Sequence, residues 1–335
     1  MKRILVLQMK RIGDAVLTAP ALALLRQAAP EARVTLVLSG VSGELGPLLP
    51  ADEVLVWRPG RLNFGLLRRV VAGGWDAVLD FTGSDRSALL CLLSRAPVRV
   101  GWEKFAVNGL RRRAWHRRSG AVVRDLHTVD FHEALVREIF PDVFRAGDSG
   151  YLRSAGAAAV SGLPSRYVLF HPGTARGEKY WPGGRWAELL AHVGGTLGWP
   201  VVVTGGRDPR EAEAVQAMRS AGVAFTDLSG RLDLRQLAAV VEGCRLAVTV
   251  DTGVMHLAAA WARPQVALFG PTNPWHWAPR HGLARVLHGR DGEGRSSPRQ
   301  SRAAMADLSV ERVCAAVDDL LRREEGDPTL AAIPR

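Results

Sequence analysis

Three segments of the sequence set acids, a lysine and small polar residues directly behind short apolar runs, the arrangement needed to hold a phosphate ester and move a proton beside it. In the first, Asp251-Thr252-Gly253 follows the apolar run 246–250 and opens a helical stretch at residues 256–262. Ligands of open α/β sheets bind at the carboxyl ends of strands. A helix N-terminus there offers unpaired N–H groups and a positive dipole end, which suit a diphosphate. Gly253 removes a side chain where a phosphate must come close. His256, about one turn into the helix, can face the phosphates or pack inward. Asp251 and Thr252 can equally serve only as helix caps. The next apolar run, residues 265–269, ends in Gly270-Pro271-Thr272-Asn273, a second loop on the same edge of the sheet.

The second segment, HPGTARGEKYWP, starts at His171, again behind a strand-like run. Gly173 and Thr174 can present backbone and hydroxyl donors, and Lys179 a mobile cation. A departing diphosphate gains negative charge, and a lysine with helix-end amides would stabilise it without a metal. The third segment is Lys10-Arg11-Ile12-Gly13-Asp14. A carboxylate at Asp14 can deprotonate an attacking hydroxyl, or cap a helix over residues 15–28 with Gly13 making the turn. The spacing around Lys179 is wrong for a Walker loop, and no Gly-x-Gly-x-x-Gly fingerprint occurs, which argues against a dinucleotide oxidoreductase. Asp-x-Asp, the common metal–diphosphate motif, is absent as well.

The elements that must position these residues alternate. Residues 2–8 and 33–38 read as buried strands around the helix 15–28, a βαβ unit with parallel strands and a right-handed crossover. Strands follow at 53–57, 77–81 and 98–101, with helical stretches between. The pattern restarts after residues 161–165 (SGLPS). Strands are expected at 167–171, 200–204, 246–250 and 265–269, and helices at 185–197, 210–221, 234–242, 256–262 and 308–323. Residues 289–302 read as a polar loop. This predicts an α/β protein of two Rossmann-like, doubly wound domains, 1–160 and 161–325, with a disordered tail at 326–335. Two such domains facing each other across a cleft are a layout shared by nucleotide-sugar transferases and many other enzymes.

The composition suits that reading: 335 residues, 47% hydrophobic and 23% charged, are ordinary for a two-domain globular chain. Cys91, Cys244 and Cys314 are too few and too scattered for a disulfide framework or a metal site, which points to a reducing cytoplasm. No apolar run approaches the length of a membrane span. The net charge of +11 is uneven: residues 1–160 carry 23 Lys/Arg against 15 Asp/Glu. That basic half is either a solvated face or a surface for anions such as a phosphorylated lipid or an anionic leaflet. Nucleic acid is disfavoured, because aromatics are not interleaved with the charges apart from Trp115.

Taken together, KRIGDAVLTAPAL (10–22), HPGTARGEKYWPGGRWAEL (171–189), VVVTGGRDPREAE (201–213) and VDTGVMHLAAAWARPQVALFGPTNP (250–274) resemble the heptosyltransferase family, glycosyltransferase family nine, with a weaker match at MADLSVERV (305–313). The resemblance spans nearly the whole chain in order. It implies a GT-B architecture and an inverting, metal-independent transfer, without a cofactor, from ADP-heptose to a lipopolysaccharide inner-core or similar glycolipid acceptor. Asp14 would be the general base and Lys179 would act with it in catalysis. Thr174, Lys179, Asp251, Thr252, Gly253 and His256 would hold the donor, and Glu211 its ribose. Arg58, Arg61, Arg111, Arg112 and Arg113 are the candidate acceptor contacts. The implied protein is a cytoplasmic monomer, peripheral to the inner membrane, with no nucleic-acid partner. Residues 289–302 depart from the pattern: many members carry several cysteines there, and this chain has none. Alternatives are another nucleotide sugar or acceptor within the family, a GT-B-like nucleotide-sugar epimerase, or a binding protein without turnover.

Overall fold

The computed structural model describes residues 1–102, 109–115, 117–119, 125–144, 150–155, 158, 160–290 and 303–326. The chain divides into two compact units, Met1–Arg153 and Ser154–Arg335. The first holds β1 (Arg3–Leu7), β2 (Arg33–Ser39), β3 (Glu53–Trp57), β4 (Ala77–Asp80), β5 (Val98–Trp102) and β6 (Arg117–Ser119). Its sheet runs β3-β2-β1-β4-β5-β6, and every pairing is parallel. The second holds β7 (Val168–His171), β8 (Val201–Val203), β9 (Thr226–Asp227), β10 (Leu246–Val250), β11 (Gln265–Phe269) and β12 (Ala284–His288). Its order is β12-β11-β10-β7-β8-β9, again parallel throughout.

Both sheets therefore share one winding, the GT-B pattern of two Rossmann-like domains. In each, the first strand pairs with the second on one side and the fourth on the other, so strand order reverses between β1 and β4 and between β7 and β10. The loops that leave these strands sit at the topological switch point, where such sheets bind ligands. The strands read as unbroken apolar runs because helices cover both faces; all five residues of β10 are buried.

The expected helix over residues 15–28 is two helices, Ile12–Val16 and Ala19–Ala28. Pro20 has no N–H to give to the Val16 carbonyl, so the turn cannot continue. The helix expected at 185–197 is α-helical over Gly183–Leu190 and then widens into a π turn over Ala191–Thr196. There the Leu197 N–H donates to the His192 carbonyl at 2.9 Å. Strands β6, β9 and β12 have no counterpart in the sequence reading. Two lie at sheet edges with three and two residues, too short to show a period. The third, β12, is an edge strand whose apolar run is broken by Arg285 and closed by His288.

One cluster matters for the site. Trp181 and Trp186 are buried and meet edge to face at 5.3 Å between ring centroids. Trp181 Nε1 donates to the Leu308 carbonyl at 3.0 Å. The 3-10 turn Gly177–Lys179 is thus anchored by the aromatic pair that follows it and by the segment before the last helix, Val310–Gly326. No helix among the described residues is long and apolar enough to cross a membrane.

Candidate functional site

In the second unit, β10 delivers Asp251 to its carboxyl end, where the residue is buried. Its carboxylate does not cap the following helix, Gly253–Ala260. Oδ2 receives the Lys179 ammonium at 2.6 Å instead, in a pair whose side chains are 14% and 7% exposed. Thr252 occupies the N-cap position without a side-chain hydrogen bond to the helix. The first turn of that helix is therefore left without the cap that sequence reasoning allowed for. Buried Thr174 donates its hydroxyl to the Asp251 carbonyl at 3.4 Å, which ties the loop after β7 to the end of β10.

Glu211 lies in the first turn of the helix Pro209–Ser220 and is buried. One carboxylate oxygen accepts from the Gly206 N–H and the other from the Tyr180 hydroxyl, which lies 3.3 Å away. The same Tyr180 oxygen stands 2.9 Å from the Thr174 carbonyl, so its single proton is shared between the two. Burial raises the Glu211 carboxyl above its ordinary range, against the pull of the Gly206 amide and Tyr180. A Cβ at Gly173 or at Gly205 would come within 2.6 Å of Glu211 Oε2. A side chain at either glycine would push the carboxylate off its hydrogen bonds. Lys179, Asp251, Thr174, Tyr180 and Glu211 form one connected set.

His256 is buried in the first turn of its helix, tilted against Trp277 at 6.4 Å. Desolvation brings its pKa down to about 4, against the pull of Asp251, so the ring is neutral at pH 7. His171, ending β7, is pushed to about 4 by burial alone and shares a 2.9 Å hydrogen bond with Thr204. The loop after β11 has structural duties. A Cβ at Gly270 would strike the Met305 backbone at 2.8 Å, and Asn273 caps the helix Pro274–Trp277.

In the first unit, Asp14 sits in the first turn of Ile12–Val16, half-buried, and the N-cap is Arg11. Asp14 is therefore not the N-cap residue; from the third helical position its carboxylate faces back to the Arg11 N–H. Desolvation raises its pKa, outweighing Lys10, the Arg11 N–H and the Arg11 guanidinium. The helix is held at its C-terminal end. Gln8, at the exit of β1, donates to the Thr18 hydroxyl at 2.9 Å, and Thr18 donates to the Asp14 carbonyl at 2.8 Å. His132 Nδ1 stands 3.1 Å from the Leu17 carbonyl. Since a carbonyl only accepts, that nitrogen carries the proton.

Sequence reasoning missed the group that braces this loop. Asp80 ends β4 with no exposure and accepts from the Thr82 and Gly83 N–H groups at 2.9 and 3.0 Å and from Trp115 Nε1 at 3.3 Å. Thr82 in turn accepts the Met9 N–H at 2.8 Å. Burial lifts the Asp80 carboxyl to about 6. An acid closing a four-residue buried strand was the available signal. Tyr180, inside a quoted motif, was likewise given no role.

The arginines divide between elements. Arg58 and Arg61 are exposed in the loop after β3, at one edge of the sheet, whereas exposed Arg113 lies on the helix Leu110–Ala114 that leads to β6 at the other. The Arg111 and Arg112 side chains, most of the loop 289–302 and residues 327–335 lie outside the described residues.

The chain as a whole is similar to known proteins. Lipopolysaccharide heptosyltransferase 1 of Pseudomonas aeruginosa is 31% identical over 306 residues, covering 86% of this chain and 84% of its own. The protein of the same name from Salmonella typhimurium is 28% identical and covers 81% and 89%. Among solved structures, a family 9 glycosyl transferase from Veillonella parvula superposes with a TM-score of 0.80 at 26% identity, covering 96% and 97%. An E. coli heptosyltransferase solved with ADP-2-deoxy-2-fluoro heptose gives 0.75 at 22% identity over 95% and 99%, a likeness of fold. Residues 64–306 match the family model of glycosyltransferase family 9, heptosyltransferase. Family membership decides for sugar transfer over epimerisation: the chain belongs to glycosyltransferase family 9, the heptosyltransferases, and is a glycosyltransferase.

Proposed function

We propose that the protein moves heptose from ADP-heptose to a lipopolysaccharide inner-core or similar glycolipid acceptor, with inversion and without a metal or cofactor. The observation that carries the donor half is the buried Lys179–Asp251 pair beside a helix N-terminus whose N-cap, Thr252, makes no side-chain hydrogen bond to it. A diphosphate arriving there meets an ammonium already held in place, amides free to donate, and Thr174 beside them. Glu211, fixed between Gly173 and Gly205, is an acceptor suited to the ribose hydroxyls. The heptosyltransferase 1 relatives act, by name, on lipopolysaccharide, and one structural relative was solved with an ADP-sugar.

In the acceptor half, Asp14 takes the proton from the attacking hydroxyl as its oxygen bonds to the anomeric carbon. The anomeric carbon–oxygen bond to the diphosphate breaks on the opposite face, and ADP leaves with its charge balanced by Lys179. A carboxyl raised by burial is a better base than an ordinary aspartate, because it binds the transferred proton more tightly. Arg111, Arg112 and Arg113 meet the acceptor's phosphates or carboxylates, while Arg58 and Arg61 stand at the opposite edge of the sheet. The enzyme works as a monomer on the cytoplasmic face of the inner membrane.

A thermal-shift panel of ADP-, GDP-, UDP- and dTDP-sugars tests the donor. ADP-heptose raises the Tm most; no shift with any nucleotide sugar would sink the donor site, and a larger shift with another base would reassign the donor.

A further inference from the structure

Of the nine large hydrophobic side chains exposed among the described residues, all but Leu197 belong to the first unit. The same unit carries 23 Lys/Arg against 15 Asp/Glu, a net +8. The two excesses coincide at one place. Leu62 is 82% exposed and Phe64 69%, and Val71 is 40% exposed one helical face along from Phe64. Phe64, Arg68 and Val71 lie at i, i+4 and i+7 of the helix Phe64–Val71, so they share its outer face, while Leu66 and Val70 are buried on the inner one.

The loop ahead of this helix is held rigidly. Asn63 Oδ1 accepts the Arg58 N–H at 2.9 Å, and its amide donates to the carbonyls of Arg58 and Arg61 at 3.0 and 2.7 Å. Gly60 makes the turn at φ +73°. A side-chain clamp thus presents Leu62 and Phe64 to solvent in a fixed conformation. Between Glu53 and Asp76 the chain carries Arg58, Arg61, Arg68 and Arg69 and no acid. Arg69 turns inward to Glu53 at 2.6 Å, while the other three are exposed.

We propose that residues 58–71 form a membrane-docking element, in which Leu62, Phe64 and Val71 enter the interfacial region of an anionic phospholipid leaflet and Arg58, Arg61 and Arg68 meet its headgroups. Apolar side chains beside arginines, without acids, match a surface that is negative outside and apolar beneath. A protein partner of ordinary polarity would leave three arginines facing it without counter-charge. The inference deepens the reading of a glycolipid acceptor at the inner membrane and names the surface that reaches it.

The test is co-sedimentation of the full chain with phosphatidylcholine vesicles, with and without phosphatidylglycerol. Wild type binds the phosphatidylglycerol vesicles at least tenfold more tightly, and added salt weakens binding. Leu62→Ser/Phe64→Ser lowers that affinity at least tenfold, as does Arg58→Gln/Arg61→Gln/Arg68→Gln. Because Leu62 and Phe64 are exposed, their double variant keeps the wild-type Tm and its rate on a water-soluble acceptor fragment. Equal vesicle binding by wild type and the serine variant overturns the proposal. So does a wild-type dimer that the serine substitutions dissociate, since a second copy would then cover the patch. Failure of wild type to transfer sugar to the soluble fragment would count against the proposed reaction instead, whatever the vesicles show.

Discussion

The ammonium of Lys179 lies 2.6 Å from Oδ2 of Asp251, joining the loop after β7 to the end of β10. The pair is largely out of water, so each charge depends on the other, and the removal of one leaves the other uncompensated. Held this way, the lysine would be in place for the proposed donor's diphosphate before one binds. Positioning in advance is what electrostatic stabilisation of a leaving group requires.

Lys179→Met accordingly loses both stability and activity. Stability falls by about 3 kcal/mol, the low end for breaking a buried pair, measured by urea unfolding. Adding Asp251→Asn removes the stranded carboxylate and restores most of the Tm, while turnover stays low. Recovery of turnover in the double variant would show that the lysine serves the fold alone.

Gly173→Ala places a Cβ where Glu211 Oε2 stands. The carboxylate must shift by several tenths of an ångström, and its hydrogen bonds to Gly206 and Tyr180 shift with it. The KM for donor rises about tenfold, equivalent to about 1.4 kcal/mol, with a smaller change in kcat. An unchanged KM would separate Glu211 from donor binding.

Much of this was legible in the sequence because the strands are buried on both faces and read as continuous apolar runs. β10 and β11, buried throughout, fall on the residues their runs define, and so does half-buried β3. Thr174, Lys179, Glu211 and Asp251, singled out from the segments after the strands, stand in one connected set, but Glu211 joins it only through Tyr180. What resisted was anything decided by tertiary partners. Asp80 looks like a strand end until Thr82, Gly83 and Trp115 surround it. Asp14 and Thr252 both looked like N-caps, and only backbone geometry shows that Arg11 is the N-cap ahead of Asp14 and that Thr252 stands at its N-cap without a side-chain bond. The break at Pro20 was visible and outweighed by the helical period around it.

Acid stability follows from the buried histidines. Burial lowers His132 to about 3 and His171 and His256 to about 4. The unfolded chain therefore binds these protons more readily, and stability falls as pH drops from about 6.5 towards 4. Asp80 opposes them. Its folded pKa, raised to about 6, makes its contribution greatest below the unfolded value and lost as pH rises through 6. Asp80→Asn removes that opposition, so the Tm difference between pH 7 and pH 5 widens. A narrower difference would contradict the assignment.

The proposed base has its own pH signature. Asp14 must be ionised to accept a proton, so kcat/KM falls on the acid side as pH drops through its pKa, which burial sets above the ordinary 3.8. Lys10 is the strongest of the groups holding that value down. Lys10→Met therefore moves the acid limb towards neutral pH. A limb that stays in place or moves to lower pH would mean another group titrates.

The most direct measurement is the single-turnover rate of heptose transfer from ADP-heptose to heptose-free core glycolipid by wild type and Asp14→Asn, with donor affinity measured on both. The account predicts a rate lower by about 10²–10⁴-fold in the variant, with donor affinity and Tm unchanged. An Asp14→Asn enzyme within twofold of wild type would contradict it.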